Sequence, residues 1–262
     1  MDFRFHILGS SSSGNSALLI TPYARVLIDA GFSGKRIDAA LRAVGESLDR
    51  VDAVFFTHEH SDHAAGLAAL ARKPSIRLYA NAATARDLKG SLTCDANWHL
   101  FENGADFWFR DIRVHAFCIP HDAADPVAFR FTLHEGTLFE TRLAWVTDLG
   151  HVPELVRRHV AEVDVLVLES NYDPALLENS DRPISLKQRI RGRHGHLSNP
   201  DAMALLASLD NPRLRHVFLG HLSKECNRVD LVREALAPVA AARPHCRFTV
   251  VDPAGTTPVG LE

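Results

Sequence analysis

The segment Thr57-His58-Glu59-His60-Ser61-Asp62-His63 constrains this chain more than any other. The apolar run Val54 to Phe56 before it has strand character and Ala64 onward has helical character, so three histidines and an aspartate crowd one strand-to-helix turn. His58 and His60 stand two apart on extended backbone and can point the same way, while Asp62 and His63 come round the turn to a second position. One turn thus offers ligands to two metal ions. Chance surface histidines with Asp62 as a helix cap are the plain alternative, and the density of ligand-type side chains argues against it.

Two ions need about four ligands each, with one position open for water at a catalytic site. His121 follows the strand-like run Ala116 to Pro120, Asp148 follows Leu143 to Thr147, and His221 follows Val217 to Gly220. Singly, each reads as an ordinary strand-end residue; their shared placement makes them candidate ligands. Asp29 closes Val26-Leu27-Ile28 in the same way but precedes a Gly turn, which suits it to holding the His loop instead. The chain carries 15 His against 3 Trp and 3 Tyr, and imidazole is the commonest metal ligand. Its four cysteines, Cys94, Cys118, Cys226 and Cys246, form no C-x-x-C pair and read as buried small hydrophobes.

Strands are expected at Phe3 to Leu8, Ser16 to Ile20, Arg25 to Asp29, Ala53 to Thr57 and Ile76 to Tyr79, with helices at Gly34 to Val44, Ala64 to Ala71 and Ala82 to Leu88. Asp106 to Val146 reads as three strands with turns at Asp125-Pro126 and Glu135-Gly136, followed by helix Pro153 to Val160 and strand Val163 to Leu168. The last third gives helix Pro200 to Leu209, strand His216 to Leu219, helix Val229 to Leu236 and strand Phe248 to Val251. This order predicts one α/β domain over 1–262, a four-layer αββα sandwich with two mixed sheets packed face to face and helices outside. A basic insertion at about 174–196 interrupts it: Arg182 to His196 carries Arg182, Lys187, Arg189, Arg191 and Arg193 and no acid. A solvated loop is the bland reading of such a run, a polyanion contact the functional one.

The longest apolar stretch, Ala235 to Ala242, falls far short of the roughly 18 to 20 residues that span a bilayer, so no membrane association is expected. The start lacks a secretory pattern, which makes the cytoplasm the expected compartment. A net charge of −3 gives no global nucleic-acid footprint, so any polyanion site must be local. The sequence carries no signal for oligomeric state.

The His58, His60, Asp62 and His63 pattern resembles the H-x-H-x-D-H motif of the metallo-β-lactamase superfamily. Gly9 to Asn15, His121-Asp122-Ala123 with Asp125-Pro126, Glu169 to Asp173, Leu186 to Ile190, Gly195 to Asn199 and Gly220 to Glu225 resemble its YycJ/WalJ-type group, whose members are linked to DNA exonuclease activity. Tyr172, where many relatives have His, and Cys226 before Asn227, where Asn-Asn is commoner, depart from that pattern. The resemblance implies a first metal on His58, His60 and His121, a second on Asp62, His63 and His221, and Asp148 between them. A hydroxide bridging two divalent ions, Zn²⁺ or alternatively Mn²⁺ or Fe²⁺, would attack a phosphodiester of DNA, with Asp62 and Asp148 orienting the water. It also places His196 against the scissile phosphate, as a contact or an acid. His194 beside it, Ser198 and Asn171 join the expected substrate contacts, as do Arg189, Arg191 and Arg193. Ser198 or Asn199, the latter directly before Pro200, reads as the helix N-cap, and the Ser-rich loop with Ser12 and Asn15 as an anion contact or a polar hairpin. A hydrolase of a small ester, thioester, lactone or cyclic phosphate, and a non-catalytic metal-binding regulatory module, stay open as alternatives.

Overall fold

Alternating apolar side chains and tight turns open the chain as an antiparallel meander, after which parallel strands are joined by helices. The computed structural model describes residues 3–255 and 257–261. In chain order the elements are β1 (Arg4–Ser11), β2 (Gly14–Ile20), β3 (Arg25–Ile28), α1 (Gly34–Ala43), β4 (Ala53–Phe55), α2 (Ser61–Ala64), α3 (Leu67–Ala71), β5 (Arg77–Ala80), α4 (Ala82–Lys89), β6 (Trp98–Leu100), β7 (Asp106–Phe109) and β8 (Ile112–Cys118). They continue as β9 (Val127–Leu133), β10 (Thr141–Val146), α5 (Glu154–Val160), β11 (Val165–Glu169), α6 (Pro174–Glu178), α7 (Ile184–Arg191), α8 (Asn199–Ser208), β12 (His216–Gly220), α9 (Val229–Ala242), β13 (Arg247–Val250) and β14 (Val259–Leu261). No helix among the described residues is long and apolar enough to cross a membrane.

One seven-stranded sheet runs β14-β1-β2-β3-β4-β5-β6, the other β13-β12-β11-β10-β9-β8-β7. In the first, β14 to β3 pair antiparallel and β3 to β6 parallel. In the second, β10 to β13 are parallel and β9 joins β10 antiparallel. Each sheet is therefore mixed.

The backbone divides into two compact units. The first holds residues 1–116, 123–127 and 255–262, and its core packs Leu18, Leu27 and Val54 of the sheet against Ile37, Leu41 and Leu70 of the helices. The second holds 117–122 and 128–254; Val146, Leu166 and Leu219 pack there against Val156, Leu205, Leu206 and Val232.

Several features differ from the sequence reading. The helix expected over Ala64 to Ala71 breaks at Gly66, whose N–H bonds Ala30 O at 2.8 Å and whose position leaves a Cβ only 2.6 Å from Phe32 O. Asp106 to Val146 contains four strands, because a tight β7–β8 turn places Arg110 at φ +54° without a Gly to announce it. Helix α9 continues through Pro238 to Ala242, held by burial of Leu236 and Val239 on either side. The basic stretch contains the helix α7 where the bland reading put a loop. Cys226 and Cys246 are buried as expected, whereas Cys94, in the segment between α4 and β6, and Cys118, at the end of β8, are exposed.

His216 on β12 stacks on Phe218 with ring centroids 4.1 Å apart and meets Thr249 Oγ1 at 2.9 Å. Burial first, then the neighbouring Arg247, pushes its imidazole from 6.5 down to about 4. The unfolded chain therefore binds a proton there between those values that the folded one refuses, so stability is full above pH 6.5 and falls as pH drops toward 4. At about 1.4 kcal/mol per pH unit the loss sums to about 3 kcal/mol. Urea titrations from about pH 7 to about pH 4 should show that slope, and His216→Gln should flatten it. An unchanged acid slope would refute the attribution.

Candidate active site

Parallel strands deliver their carboxyl ends side by side, and in each unit the candidate residues sit at such ends. In the first unit Ile28 pairs with Phe55 across β3 and β4, so Asp29 lies beside Thr57 and His58. Asp29 is fully buried; its Oδ1 accepts from Thr57 N at 2.8 Å, and its Oδ2 stands 2.8 Å from His63 Nδ1. Burial pushes the Asp29 carboxyl up more than His63 and Thr57 draw it down. With Nδ1 anchored, His63 presents Nε2, 3.6 Å from Asp62 Oδ2 and 3.1 Å from the buried Asn15 amide. His58 Nδ1 meets Thr57 Oγ1 at 3.0 Å, and the His58 ring lies 4.6 Å from that of His60 and 4.2 Å from that of His63. The turn can sit this close because residue 31 is Gly, where a Cβ would stand 1.8 Å from Asp62 O. Ser12 is exposed at the β1–β2 hairpin tip.

In the second unit β10, β11 and β12 run in register, Val146 with Leu168 and Glu169 with Gly220, which brings Asp148, Glu169 and His221 together. These three and His196 each offer a ligand atom within 4.8 Å of the others. Asp148 Oδ1 lies 3.3 Å from His221 Nε2 and 3.6 Å from His121 Nε2. His121 Nδ1 is held 3.1 Å from Gly195 O. Burial, only partly offset by Asp148, pushes the His121 imidazole below its ordinary value, which favours the neutral ring a metal needs.

Glu169, absent from the candidates drawn from the sequence, organises this unit. Its Oε2 stands 2.9 Å from His196 Nδ1 and 2.6 Å from His221 Nδ1 and accepts from Asp148 N at 3.2 Å. Its Oε1 accepts from Leu149 N and Leu197 N. Burial raises this carboxyl, but His196 and His221 more than reverse the effect and bring it to about 2. Its signal was its place at the end of Val165-Leu166-Val167-Leu168, the same placement that marked Asp148 and His221. Asn171 packs behind His221, donating from Nδ2 to its carbonyl at 2.8 Å.

Among the described residues five non-glycines adopt positive φ, and three are Asp29 (+57°), Asp148 (+59°) and His221 (+56°). Such backbone costs of order 1 to 3 kcal/mol and persists where its surroundings over-determine it, typically at functional sites.

Of the remaining candidates, Ser198 is the N-cap of α8, accepting from Asp201 N at 3.2 Å, and Asn199 lies one residue inside. The Asn199 amide is instead turned to Ser170 and Asn227, so of the two cap candidates it is Ser198 that serves. His194 is exposed, and its carbonyl accepts from Asp122 N. The arginines of the basic stretch meet partners from elsewhere in the chain: Arg182 with Glu225, Arg189 with Asp122, Arg191 with Glu178 and Arg193 with His151. The charge of Arg182, Arg189 and Arg191 is thus met by acids, which a reading of 182–196 alone could not register. Tyr172 is buried with Leu177, Ile190 and Cys226.

The model of the family described as "Beta-lactamase superfamily domain" matches residues 24–221. The chain belongs to the β-lactamase superfamily. It is 38% identical over 234 residues to exodeoxyribonuclease WalJ of Streptococcus pneumoniae, covering 87% of this chain and 85% of that protein. To exodeoxyribonuclease YycJ of Bacillus anthracis it is 34% identical over 242 residues, covering 91% and 89%. The metallo-β-lactamase fold protein YhfI from Bacillus subtilis superposes with a TM-score of 0.73 over 99% of both chains at 15% identity, a likeness of fold. The resemblance read from the His motif therefore holds at the level of family and group, and the expected α/β class with two mixed sheets is observed.

Proposed function

We propose that the protein is a metal-dependent phosphodiesterase that degrades DNA from an end. The observation that carries the reading is the common setting of His63, His121 and His221: each imidazole is anchored through Nδ1 to a carboxylate or carbonyl and turns Nε2 toward a second carboxylate at 3.3 to 3.6 Å. Anchoring of that kind fixes the tautomer that donates a lone pair to a metal. The two relatives named exodeoxyribonucleases, matched over most of their length, supply the substrate class.

The donor set of imidazoles and carboxylates without thiolate fits divalent ions, Zn²⁺ first and Mn²⁺ or Fe²⁺ as alternatives. Following the family motif, His58, His60 and His121 would hold one ion, Asp62, His63 and His221 another, and Asp148 both. Bound ions of this kind lower the pKa of water and neutralise charge on phosphate oxygens. The chain's own groups do the rest. Asp62 and Asp148 orient the water and take its proton, while Asp29 and Glu169 keep the imidazoles in place. His196, half-buried with Nδ1 on Glu169, directs Nε2 to the leaving oxygen.

The test is digestion of end-labelled duplex and single-stranded DNA with added Zn²⁺ or Mn²⁺. Progressive release of short products from one end is the expected result. Intact DNA together with rapid turnover of a small ester, thioester, lactone or cyclic phosphate would overturn it in favour of a small substrate.

A further inference from the structure

We propose that Arg189, held by Asp122, binds the phosphate at the bond being cleaved; the inference rests on the phosphodiesterase reading above. Arg182 reaches Glu225 ahead of α9 and Arg191 reaches Glu178 on α6, whereas the partner of Arg189 adjoins a candidate ligand. Asp122 turns one oxygen, Oδ2, to Arg189 Nε, and the other, Oδ1, lies 3.4 Å from His121 Nε2. That nitrogen is the one His121 directs toward Asp148, since Nδ1 is taken by Gly195 O. The guanidinium therefore sits one carboxylate away from the candidate metal-binding edge of His121.

The backbone fixes this placement from a second direction. The last turn of α7 packs directly on the loop that carries His196: His196 N donates to Ile190 O at 2.9 Å, and a Cβ on Gly195 would stand 2.2 Å from Ile190 O and 2.3 Å from Arg189 O. Only glycine lets the loop approach so closely. Asp122 N bonds His194 O at 3.1 Å, tying the other end of the Arg189–Asp122 pair to the same loop. His121, His196 and Arg189 are thereby held in one small frame.

Electrostatics gives the pair its purpose. An unneutralised carboxylate this near His121 Nε2 would repel an incoming phosphate, and Arg189 discharges it. A guanidinium has five N–H donors in a planar fork that matches phosphate oxygens, and Arg189 donates Nε–H to Asp122. The Arg189 side chain is 56% exposed and the Asp122 side chain 32%, so a ligand can reach both from solvent. A lysine would supply charge without the fork.

The experiment titrates inorganic phosphate into Mn²⁺-loaded protein by calorimetry and measures hydrolysis of bis(p-nitrophenyl) phosphate and of DNA alongside it. Arg189→Ala should weaken phosphate binding about tenfold or more and lower turnover of both substrates by about 10²-fold, the scale seen when one donor to transition-state charge is removed. Metal content and thermal melting should stay as in the wild type. Arg189→Lys should recover part of the binding. Asp122→Asn should raise KM more than it lowers kcat, and adding it to Arg189→Ala should cost little more, because both act through one contact. Arg233→Ala, an exposed change on α9, is the control. Phosphate binding and bis(p-nitrophenyl) phosphate turnover equal to wild type in Arg189→Ala would overturn the proposal, even if the salt dependence of DNA binding flattened. Wild-type protein that binds phosphate and cleaves the small diester but leaves DNA intact would sink the nuclease reading alone, with Arg189 still judged by the phosphate titration.

Discussion

Asp148→Ala is expected to abolish hydrolysis and strip bound metal, with turnover falling about 10³-fold or more, equivalent to about 4 kcal/mol of lost transition-state stabilisation. The residue is buried, its backbone is held at φ +59° with its N–H on Glu169, and its Oδ1 faces the Nε2 atoms of both His121 and His221. A carboxylate between two candidate ligand nitrogens would serve a metal held by either of them. His60→Ala should also lose activity, but His60 is half-buried at the edge of its turn, so it should surrender less metal. Metal content after gel filtration, measured with turnover in the same samples, decides both. Near-normal turnover with full metal content in either variant would defeat the ligand assignment.

The site's strand ends were legible in the sequence because burial writes itself locally. An apolar run such as Leu143 to Val146 or Val217 to Leu219 must end where the chain leaves the sheet, and a lone Asp or His there stands out. Glu169 ends a run of the same kind, but its meaning lies in His196 and His221, 27 and 52 residues further along. The setting of the basic stretch was illegible for the same reason: the acids that meet Arg182, Arg189 and Arg191 are Glu225, Asp122 and Glu178, outside the stretch, up to 67 residues from their arginines. Where local propensity and tertiary packing disagreed, packing prevailed. Pro238 did not end α9 because Leu236 and Val239 are buried, and Ser198 rather than Asn199 caps α8 because the Asn199 amide is bound by Ser170 and Asn227.

His196→Ala is expected to keep its metal and slow DNA cleavage by about 10² to 10⁴, the usual contribution of a positioned acid or base. The imidazole stands 2.9 Å from Glu169 Oε2 through Nδ1, and its side chain is 19% exposed where those of His121 and His221 are 1%. Of these three imidazoles His196 is thus the one open to solvent, which is the ground for proposing it as the substrate contact. Its Nδ1 lies 3.8 Å from Asp148 Oδ1 and shares Glu169 with His221, so a ligand role is the competing assignment. The leaving group separates them. Nitrophenolate departs without a proton, so an acid is dispensable for bis(p-nitrophenyl) phosphate and indispensable for the alkoxide leaving from DNA. His196→Ala should therefore be much slower on DNA and close to wild type on the small diester, whereas Arg189→Ala should be slow on both. Equal losses on the two substrates, accompanied by loss of metal, would make His196 a ligand and move the proton donor elsewhere in the site.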